Sequence, residues 1–440
     1  MRTHLINAAY GVLDYAAYPI GMLLVAPVVL RCLGATQYGV WTVATAAVSV
    51  GSVVASGFGD ANIQHVASQR SLGRHKALLR TVRSMIGINF ILGAALALIA
   101  WAISPYVAHR LAPLNPALQS DCLGSLRIAS VLMWIRALES VCISTQRAFE
   151  RYGSAVRVSI AARVLSLAAA AGLAYLGRSV TAIVAATAVL TLLGTGIQFT
   201  HLRRLLHADT LKPAFDREAM KALFGFGTFS WLQAVSAVVF SQADRLLLGV
   251  SLGAMAVASY ALCVQMAQPI YGFAASGLHF LFPYLAGRSA WQSPSQLRRA
   301  VLIALTANLL FVAAAVAALL LFGPRILRIW AGEAIAQSSV PIFSMIVWGS
   351  ALLGLNTTGT YSLFALGRVQ IVTWLNLAGG AAMLLLMVFL LPHFGVYGLA
   401  VARLCYGFVT LLLYLPLARL MSRQLQTRPN MPVASIYEEA

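Results

Sequence analysis

Apolar runs of about 20 residues recur from one end of this 440-residue chain to the other, and a run of about 20 such residues lets an α-helix cross the hydrocarbon core of a bilayer. The composition agrees with a membrane protein, because 60% of the residues are hydrophobic and only 10% are charged. The sequence therefore predicts an all-α integral membrane protein with twelve transmembrane helices. These lie near residues 8–30, 40–66, 84–104, 122–145, 154–176, 180–200, 222–249, 257–283, 300–322, 341–366, 370–391 and 396–418.

Lysine and arginine are unevenly distributed among the loops between these helices. If both termini are cytoplasmic, 20 of the 31 Lys and Arg residues lie on the cytoplasmic side and six lie within helices. Because such an excess is the usual pattern of cytoplasmic loops, we expect both termini in the cytoplasm. The net charge of +19 then reflects topology, and its dispersion over short loops predicts no nucleic-acid-binding surface. The five residues on the opposite side are Arg31, Arg110, Arg178, Arg325 and Arg328.

The connections between helices are too short to hold a soluble catalytic domain. The longest predicted loops are 105–121 on the outer side and 201–221 on the inner side, and the outer loop holds a single acid, Asp121. The five cysteines are scattered without a C-x-x-C pair, and the eight histidines show no metal-ligand spacing. We therefore expect neither an enzyme nor a metal protein, and no cofactor beyond a coupling proton or sodium ion.

Residues 201–221 separate six predicted helices from six. The stretch from Pro213 to Phe224 would form a helix with one apolar face and one mainly charged face, which is typical of an amphipathic helix at the membrane surface. The predicted organisation is an N-terminal lobe over 1–200, a cytoplasmic linker over 201–221, a C-terminal lobe over 222–418 and a cytoplasmic tail over 419–440.

The two predicted lobes share short sequence matches at equivalent places. The tripeptide Leu-Gly-Ala at 33–35, after the first helix, recurs at 252–254, after the seventh, and residues 149–153 at the exit of the fourth helix match 364–368 at the exit of the tenth. Parallel repeats of this kind are common in secondary transporters, whose substrate site lies between the two halves. We therefore expect a central cavity and alternating access through rocking of the lobes.

Six arginines fall inside predicted transmembrane helices. Inserting an arginine near the bilayer centre costs about 2.5–3.5 kcal/mol on insertion scales, so such residues usually face a protein interior or a watery cavity and mark a substrate path. Only four acids share this environment, so the interior is net positive and suits an anionic substrate. The arginines are Arg127, Arg136, Arg157, Arg163, Arg245 and Arg403, and the acids are Asp14, Asp60, Glu139 and Asp244.

Arg136, Glu139 and Arg163 are the leading candidates for contact with the substrate. Arg136 and Glu139 stand three residues apart on one face of the fourth helix, where they can pair. Two interpretations stay open for this pair: it lines the cavity and Arg136 binds an anionic head group, or it is a buried pair that fixes helix packing. Arg163 lies near mid-depth of the fifth helix with no acid within reach on that helix, so it needs a partner from elsewhere or a substrate.

Three other arginines are further candidates for the cavity. Arg157 is close enough to the cytoplasmic surface, and Arg127 to the outer surface, for their side chains to extend into it instead. Nine positions separate Arg127 from Arg136, which places the two on opposite helix faces at 100° per residue. Arg403 on the twelfth helix is a candidate partner across the cavity.

Four charged residues are candidates for coupling or gating. Asp14 and Asp60 lie toward the cytoplasmic ends of the first two helices, and the first helix contains two prolines that permit it to bend. Asp14 is the candidate to carry a coupling proton or sodium ion, and Asp60 is a candidate to pair with a loop arginine and close a gate. The neighbours Asp244 and Arg245 are candidates for a gate or a contact between lobes.

Several motifs resemble those of Wzx-type O-antigen and polysaccharide-repeat flippases, within the multidrug/oligosaccharidyl-lipid/polysaccharide (MOP) superfamily. Residues 33–41, LGATQYGVW, are similar to the turn between the first two helices of these flippases, and residues 57–67 to the end of the second helix. Residues 243–260, which begin ADRLLLG, are similar to the start of their second half, while 364–368 and 395–400 resemble later landmarks. The resemblance spans nearly the whole chain.

This resemblance implies a MATE-like fold of two six-helix lobes around a V-shaped central cavity. It also implies a bacterial inner-membrane flippase that moves undecaprenyl-pyrophosphate-linked repeat units of O-antigen, lipopolysaccharide or exopolysaccharide from the cytoplasmic to the periplasmic leaflet. Its partners would be this glycan, the lipid bilayer, a polysaccharide polymerase and a chain-length regulator. A pyrophosphate agrees with the net positive interior, because arginine binds phosphate oxygens through paired hydrogen bonds.

Other classes of protein stay open. A multidrug or toxin extruder of the same fold usually selects organic cations, which a net positive interior disfavours. A polytopic glycan polymerase or ligase usually needs a sizeable outer loop with clustered catalytic acids, and Asp121 is the one acid in the longest outer loop. A structural partner of a glycan assembly complex would leave the cost of six embedded arginines unexplained.

Overall fold

The computed structural model describes residues 2–56, 58–149, 151–278, 281, 285 and 294–427. These residues form helices joined by short turns, with no strand among them, so the predicted all-α fold is confirmed. The helices are α1 (Arg2–Ser56), α2 (Gly59–Ser71), α3 (His75–Leu111), α4 (Pro116–Ala148), α5 (Tyr152–Tyr175), α6 (Val180–Leu205), α7 (Arg217–Leu278), α8 (Pro294–Ala331), α9 (Glu333–Ala365), α10 (Val369–Phe394), α11 (Val396–Leu411) and α12 (Tyr414–Thr427).

The two longest helices, α1 and α7, are each interrupted at a glycine. Gly34 (φ +83°, ψ 166°) breaks α1, and Gly253 (φ +80°, ψ 178°) breaks α7. Glycine is favoured at such positions because a Cβ atom makes a positive φ unfavourable. Both glycines belong to the repeated Leu-Gly-Ala tripeptide, so the sequence repeat has a counterpart in the backbone.

Nine helical segments in the described part of the chain are long and apolar enough to cross a bilayer. They are Ile20–Ser71, His75–Leu111, Val156–Tyr175, Val180–Leu205, Trp231–Leu278, Ser295–Ala331, Ser339–Ala365, Val369–Phe394 and Val396–Ser422. The first and the fifth of these contain the glycine breaks, and α4, with its five charged residues, is not among them. The count of twelve crossings therefore stays a prediction.

The chain divides into two compact units. Unit 1 comprises the residues up to Met266 together with Arg325–Pro341 and Leu391–Val396, and unit 2 comprises Ala267–Pro324, Ile342–Leu390 and the residues from Tyr397 onward. These units are defined by packing, whereas the predicted lobes are defined by sequence order. The predicted boundaries of the lobes, linker and tail stay a prediction, and most of the tail lies outside the described residues.

The helix α4 is central to unit 1. It packs against α1, α2, α3, α5 and α6. Apolar side chains from α2, α3, α4 and α6 form a shared core that includes Val66, Met85, Val141 and Leu202. The residues of α4 are therefore placed mainly against protein.

Unit 2 has a core of its own, built around α8 and α9. Buried Asn308 of α8 donates from Nδ2 to the Gly354 carbonyl and to the Thr358 hydroxyl of α9, each at 3.0 Å. Leu363 and Val301 pack in the apolar part of this core. A satisfied amide of this kind fixes the register of two helices, because an unpaired one would be costly to bury.

Within unit 1, α1 and α7 approach each other closely just after their glycine breaks. The Tyr38 hydroxyl donates to Gln265 Oε1 at 2.9 Å in a buried position. The next residue, Gly39, lies against the backbone of Ala254, so closely that a Cβ atom at position 39 would overlap the Ala254 carbonyl oxygen. The contact therefore requires glycine.

We expect Gly39→Ala to destabilise the protein by about 1–3 kcal/mol, the usual cost of overpacking a close contact. Gly172→Ala is the matched control, since it adds the same methyl group inside α5, where no neighbouring atom lies within 4 Å. Thermal unfolding in detergent should give a lower Tm for Gly39→Ala and an unreduced Tm for Gly172→Ala. Equal Tm values for the two variants would contradict the close approach of α1 and α7.

Candidate functional site

The helix α4 starts at a well-formed cap and carries its charges into the middle of unit 1. The Asn115 side chain accepts from the Leu118 backbone N–H at 3.1 Å, and Pro116 occupies the first turn, where its missing N–H costs nothing. From this start the helix places Arg127, Arg136 and Glu139 among neighbouring helices.

Uncharged amide and hydroxyl groups on neighbouring helices surround α4. Asn62 of α2 donates from Nδ2 to the Ser144 and Thr145 hydroxyls at 2.8 and 3.0 Å, and Asn89 of α3 donates from Nδ2 to the Ala137 carbonyl at 2.7 Å. On the α6 side, Gln146 donates to Gln198. All of these residues are buried, so these helices place hydrogen-bonding amides and hydroxyls beside the apolar core of unit 1.

Sequence reasoning missed these amides. Each of them is a single Asn or Gln in an apolar stretch, and no fixed spacing connects them. The cost of burying an amide could have revealed them, because an Asn or Gln inside a membrane helix needs a hydrogen-bond partner on another helix. Applied to Asn62, Asn89 and Gln198, that rule would have predicted contacts with a neighbouring helix.

Arg136 is half-buried, and its Nε atom is fully buried without a hydrogen-bond partner among the described residues. The direction of Arg136 around α4 follows from two residues of the same helix whose contacts are observed. Met133 packs against Gly51 of α1, and Gln146 faces α6. At 100° per residue, Arg136 lies between these two directions. A buried N–H donor without a partner is costly, and an anion could satisfy it. Arg127 and Arg245 have a buried Nε atom of the same kind.

Glu139 is buried, with 6% of its surface exposed. It lies on the side of α4 that faces α6, since it stands seven residues, close to two turns, before Gln146. Arg136 and Glu139 stand three residues apart, about 60° around the helix. Their pairing stays a prediction.

Arg127 is also half-buried and has a buried Nε atom without a described partner. Its guanidinium carbon lies 5.0 Å from the centre of the Trp101 ring of α3, within the range of a cation–π contact. Arg127 thus faces α3 while Arg136 lies between α1 and α6. The contact of Arg127 with Trp101 is consistent with the predicted placement of the two arginines on different faces of α4.

The two arginines of α5 differ in their surroundings. Arg163 is half-buried. One turn further along the same face of α5, Leu167 packs against Gly21 of α1. The neighbour of Arg163, Ala162, lies at Gly194 of α6, so this part of α5 sits between α1 and α6. Arg157 is exposed and donates from Nε to the Gly153 carbonyl of its own helix at 2.8 Å, as an arginine that extends to the surface would.

The remaining candidates are not brought to one place by the described contacts. Asp244 is fully buried and accepts from the Arg245 backbone N–H at 2.8 Å, while the Arg245 side chain donates to Gln242 at 3.0 Å. Arg403 is half-buried and belongs to unit 2, where its backbone lies beside Gly349. The side chains of Asp14 and Asp60 lie outside the described residues.

The family of the chain can be assigned from its sequence. Residues 28–340 match the family model described as polysaccharide biosynthesis protein, which is most of the chain. The chain belongs to this polysaccharide biosynthesis protein family. A comparison with curated protein sequences gives no significant match.

Solved structures identify the fold as that of the MOP superfamily transporters. An inward-facing multidrug resistance MATE family transporter superposes with a TM-score of 0.77 at 14% identity, over 95% of this chain and 100% of the other. The lipid II flippase MurJ, in an inward closed conformation, gives 0.75 at 12% identity, over 94% and 87%. A MOP superfamily transporter from Pyrococcus furiosus gives 0.61 at 15% identity, over 95% and 96%.

Measurements of thermal stability can distinguish a ligand-binding role of Arg136 from a structural role. We expect Arg136→Met to keep or raise the Tm, because an apolar side chain of similar size removes the desolvation cost of a half-buried guanidinium whose buried Nε atom lacks a described partner. Wild-type protein should gain Tm from an added lipid-linked diphosphate by mass action, and Arg136→Met should lose that gain. Thermal unfolding in detergent, with and without the ligand, measures both effects.

Asn62→Ala is the structural control, since it removes two hydrogen bonds and leaves their partners buried, at a cost of about 1–3 kcal/mol. A Tm for Arg136→Met as low as that of Asn62→Ala would assign Arg136 to helix packing instead.

Proposed function

We propose that this protein is a flippase for lipid-linked oligosaccharides, which moves undecaprenyl-pyrophosphate-linked polysaccharide repeat units from the cytoplasmic to the periplasmic leaflet. The observation that carries the proposal is Arg136, a guanidinium in the interior of unit 1 with a buried N–H donor that lacks a described partner. Membership of a polysaccharide biosynthesis family and the transporter fold support the same reading.

The chemistry of the substrate head group matches this interior. A pyrophosphate carries concentrated negative charge, and the planar fork of a guanidinium binds phosphate oxygens through two parallel hydrogen bonds. Arg136 and Arg163 lie on neighbouring helices, and both are only half-buried. The polar head would pass along this cationic path, while the isoprenoid tail, which needs no polar partner, stays in the hydrocarbon of the bilayer.

Two rival functions are less well supported. A cation extruder shares the fold, but an interior with more arginines than acids repels organic cations; in the Pyrococcus furiosus transporter, a binding pocket of reversed polarity likewise suggests a different function for that protein. A glycan polymerase or ligase would be an enzyme, whereas the similar structures are those of transporters and a flippase. We therefore propose a transporter without a catalytic site.

The proposed setting follows from the charge distribution and the proposed substrate. We place the protein in the bacterial inner membrane with both termini in the cytoplasm, and with a proton or sodium gradient, carried at Asp14, as its energy source. O-antigen, lipopolysaccharide or exopolysaccharide repeat units are the proposed cargo. A polysaccharide polymerase and a chain-length regulator are the proposed partners, because the flipped unit is the substrate for chain assembly.

Transbilayer movement of an undecaprenyl-pyrophosphate oligosaccharide in proteoliposomes tests the function. We expect Arg136→Ala and Arg163→Ala each to reduce the initial rate at least tenfold, because losing one charge-assisted hydrogen bond is worth about 1.5–3 kcal/mol and about 1.4 kcal/mol is a factor of ten. Arg178→Ala, an exposed arginine at the α5–α6 turn, is the control and should keep the wild-type rate. Vesicles with and without a proton or sodium gradient compare wild type with Asp14→Asn.

Movement that survives both arginine substitutions would contradict the cationic path. No movement of several glycans by folded wild-type protein, with or without a gradient, would favour the extruder.

The orientation can be tested with a natural reporter. Cys32 is exposed beside the break in α1, whereas Cys122, Cys142 and Cys263 are buried. A membrane-impermeant maleimide added to intact cells should label Cys32, because the predicted topology places it on the outer face. The Cys32→Ser variant should lose that label. Labelling of Cys32 only after the membrane is permeabilised would reverse the proposed orientation.

A further inference from the structure

A cavity lined by two arginines lies in unit 1. It has a volume of about 410 Å³ and is formed by the chain around the α1 break at Gly34 and around the turn between α8 and α9 at Gly332. Two arginines and a tryptophan line it: Arg31, Arg328 and Trp330. Both arginines are exposed, so an ion from the surrounding water can reach them.

One hydrogen bond joins the two sides of this cavity, between residues 298 positions apart in sequence. Arg31 donates from Nη2 to the Ile329 carbonyl near the end of α8. A cation at a helix C-terminus is favoured by the partial negative charge there. The bond uses one of the five N–H donors of the guanidinium, so Arg31 is oriented by the protein and keeps donors for another acceptor.

The arginines that line the cavity carry more positive charge than the neighbouring acid, Glu333, can neutralise. Arg328 Nε lies 3.7 Å from Glu333 Oε1, an exposed pair. Arg31 adds a second positive charge to the lining, whereas Arg325, three residues before Arg328 on α8, is not among the described lining residues. A cavity with this balance attracts anions.

The positive charge at this place is not explained by topology. The positive-inside pattern concentrates Lys and Arg in cytoplasmic loops, and only five of the 31 fall on the predicted outer side. Two of those five, Arg31 and Arg328, come from distant parts of the chain and line this cavity, and a third, Arg325, stands three residues before Arg328. Such clustering on the side that otherwise lacks cations favours a binding role.

We propose that the cavity between Gly34 and Gly332 is a binding site for a phosphate-bearing head group at the outer face, where Arg31 and Arg328 receive the diphosphate of the flipped glycolipid. This assignment rests on the proposed flippase function. It adds a binding site for the flipped glycolipid on the side of the membrane where the product is released. The chemistry is that of a paired guanidinium site for phosphate oxygens. Trp330 suits the same place, since tryptophan is favoured at the membrane interface, where the head group emerges.

Protection of a thiol in the cavity tests the site in the full-length protein. Ala331 lines the cavity, so the A331C variant in a Cys32→Ser background gives a reporter, and site-resolved mass spectrometry measures its rate of maleimide labelling. We expect inorganic pyrophosphate and a soluble glycosyl diphosphate to slow the labelling. Arg31→Gln and Arg328→Gln should each raise the concentration needed for half-protection about tenfold, as the loss of one charge-assisted hydrogen bond predicts.

Matched variants separate binding from other effects. Arg178→Gln removes an exposed outer-side arginine that does not line the cavity, and at about 0.15 M salt it should leave protection unchanged, because remote charges are screened beyond about 8 Å. Arg31→Gln also removes the bond to Ile329, so Arg328→Gln, which leaves that bond in place, is the decisive variant. Protection that is equal in wild type and Arg328→Gln, or absent at millimolar pyrophosphate, would overturn the site.

Two further arms identify the source of the phosphate. Proteoliposomes of phosphatidylcholine with and without phosphatidylglycerol show whether an ordinary anionic lipid occupies the cavity, and full protection by phosphatidylglycerol alone would overturn the assignment to glycolipid. Transport is measured in the same vesicles. Transport without protection would overturn this site and leave the proposed function standing, whereas protection without transport would overturn the flippase function and leave an anion site.

Discussion

Keeping the polar groups of α4 away from lipid is the requirement on which the rest of unit 1 depends. Inside a bilayer an unsatisfied polar group costs several kcal/mol, and no water is there to satisfy it. Five helices therefore pack against α4, and α2, α3 and α6 provide amide partners such as Asn62, Asn89 and Gln198. The buried Nε atoms of Arg127 and Arg136 lack a described partner, and so do the Oδ1 atoms of Asn62 and Asn89 and the Nε1 atom of Trp134. The two arginine donors differ from the amide oxygens in that an anion can satisfy them.

Small residues make this enclosure geometrically feasible. Met133 occupies the space at Gly51 of α1, Trp134 lies against Gly93 of α3, and on α4 itself Gly124 receives Thr181 of α6. Membrane helices lack a hydrophobic force that would press them together, so close approach through small residues and interhelical hydrogen bonds holds them. Glycines and amides therefore have complementary roles in these helices. The glycines allow two helices to approach closely, and the hydrogen bonds of the amides fix the register between them.

Much of the fold could be predicted from the sequence, because bilayer thickness imposes a length on each apolar run, and glycine at a repeated tripeptide marks a backbone break. Helix periodicity alone also placed Arg127 and Arg136 on different faces. The contacts between distant residues could not be predicted. Nothing in the spacing of Arg31 and Ile329 connects them, and a lone Asn62 in an apolar run has no motif around it. The pairing of Arg136 with Glu139 stays a prediction, because spacing along one helix reports a shared side of the helix, while the neighbouring helices decide where each side chain turns.

The prolines explain how single helices contribute to two units. The border between the units crosses α8 at Pro324 and α9 at Pro341, and it crosses α7 and α10 within two residues of Pro269 and Pro392. A proline inside a helix removes one backbone hydrogen bond and pushes the preceding turn away, so the helix can bend there without breaking a further bond. α8, α9 and α10 each have one end in unit 1 and the rest in unit 2, whereas most of α7 belongs to unit 1 and its last residues belong to unit 2. Sequence order alone therefore could not give the packing units, although the prolines mark the places where one helix passes from one unit to the other.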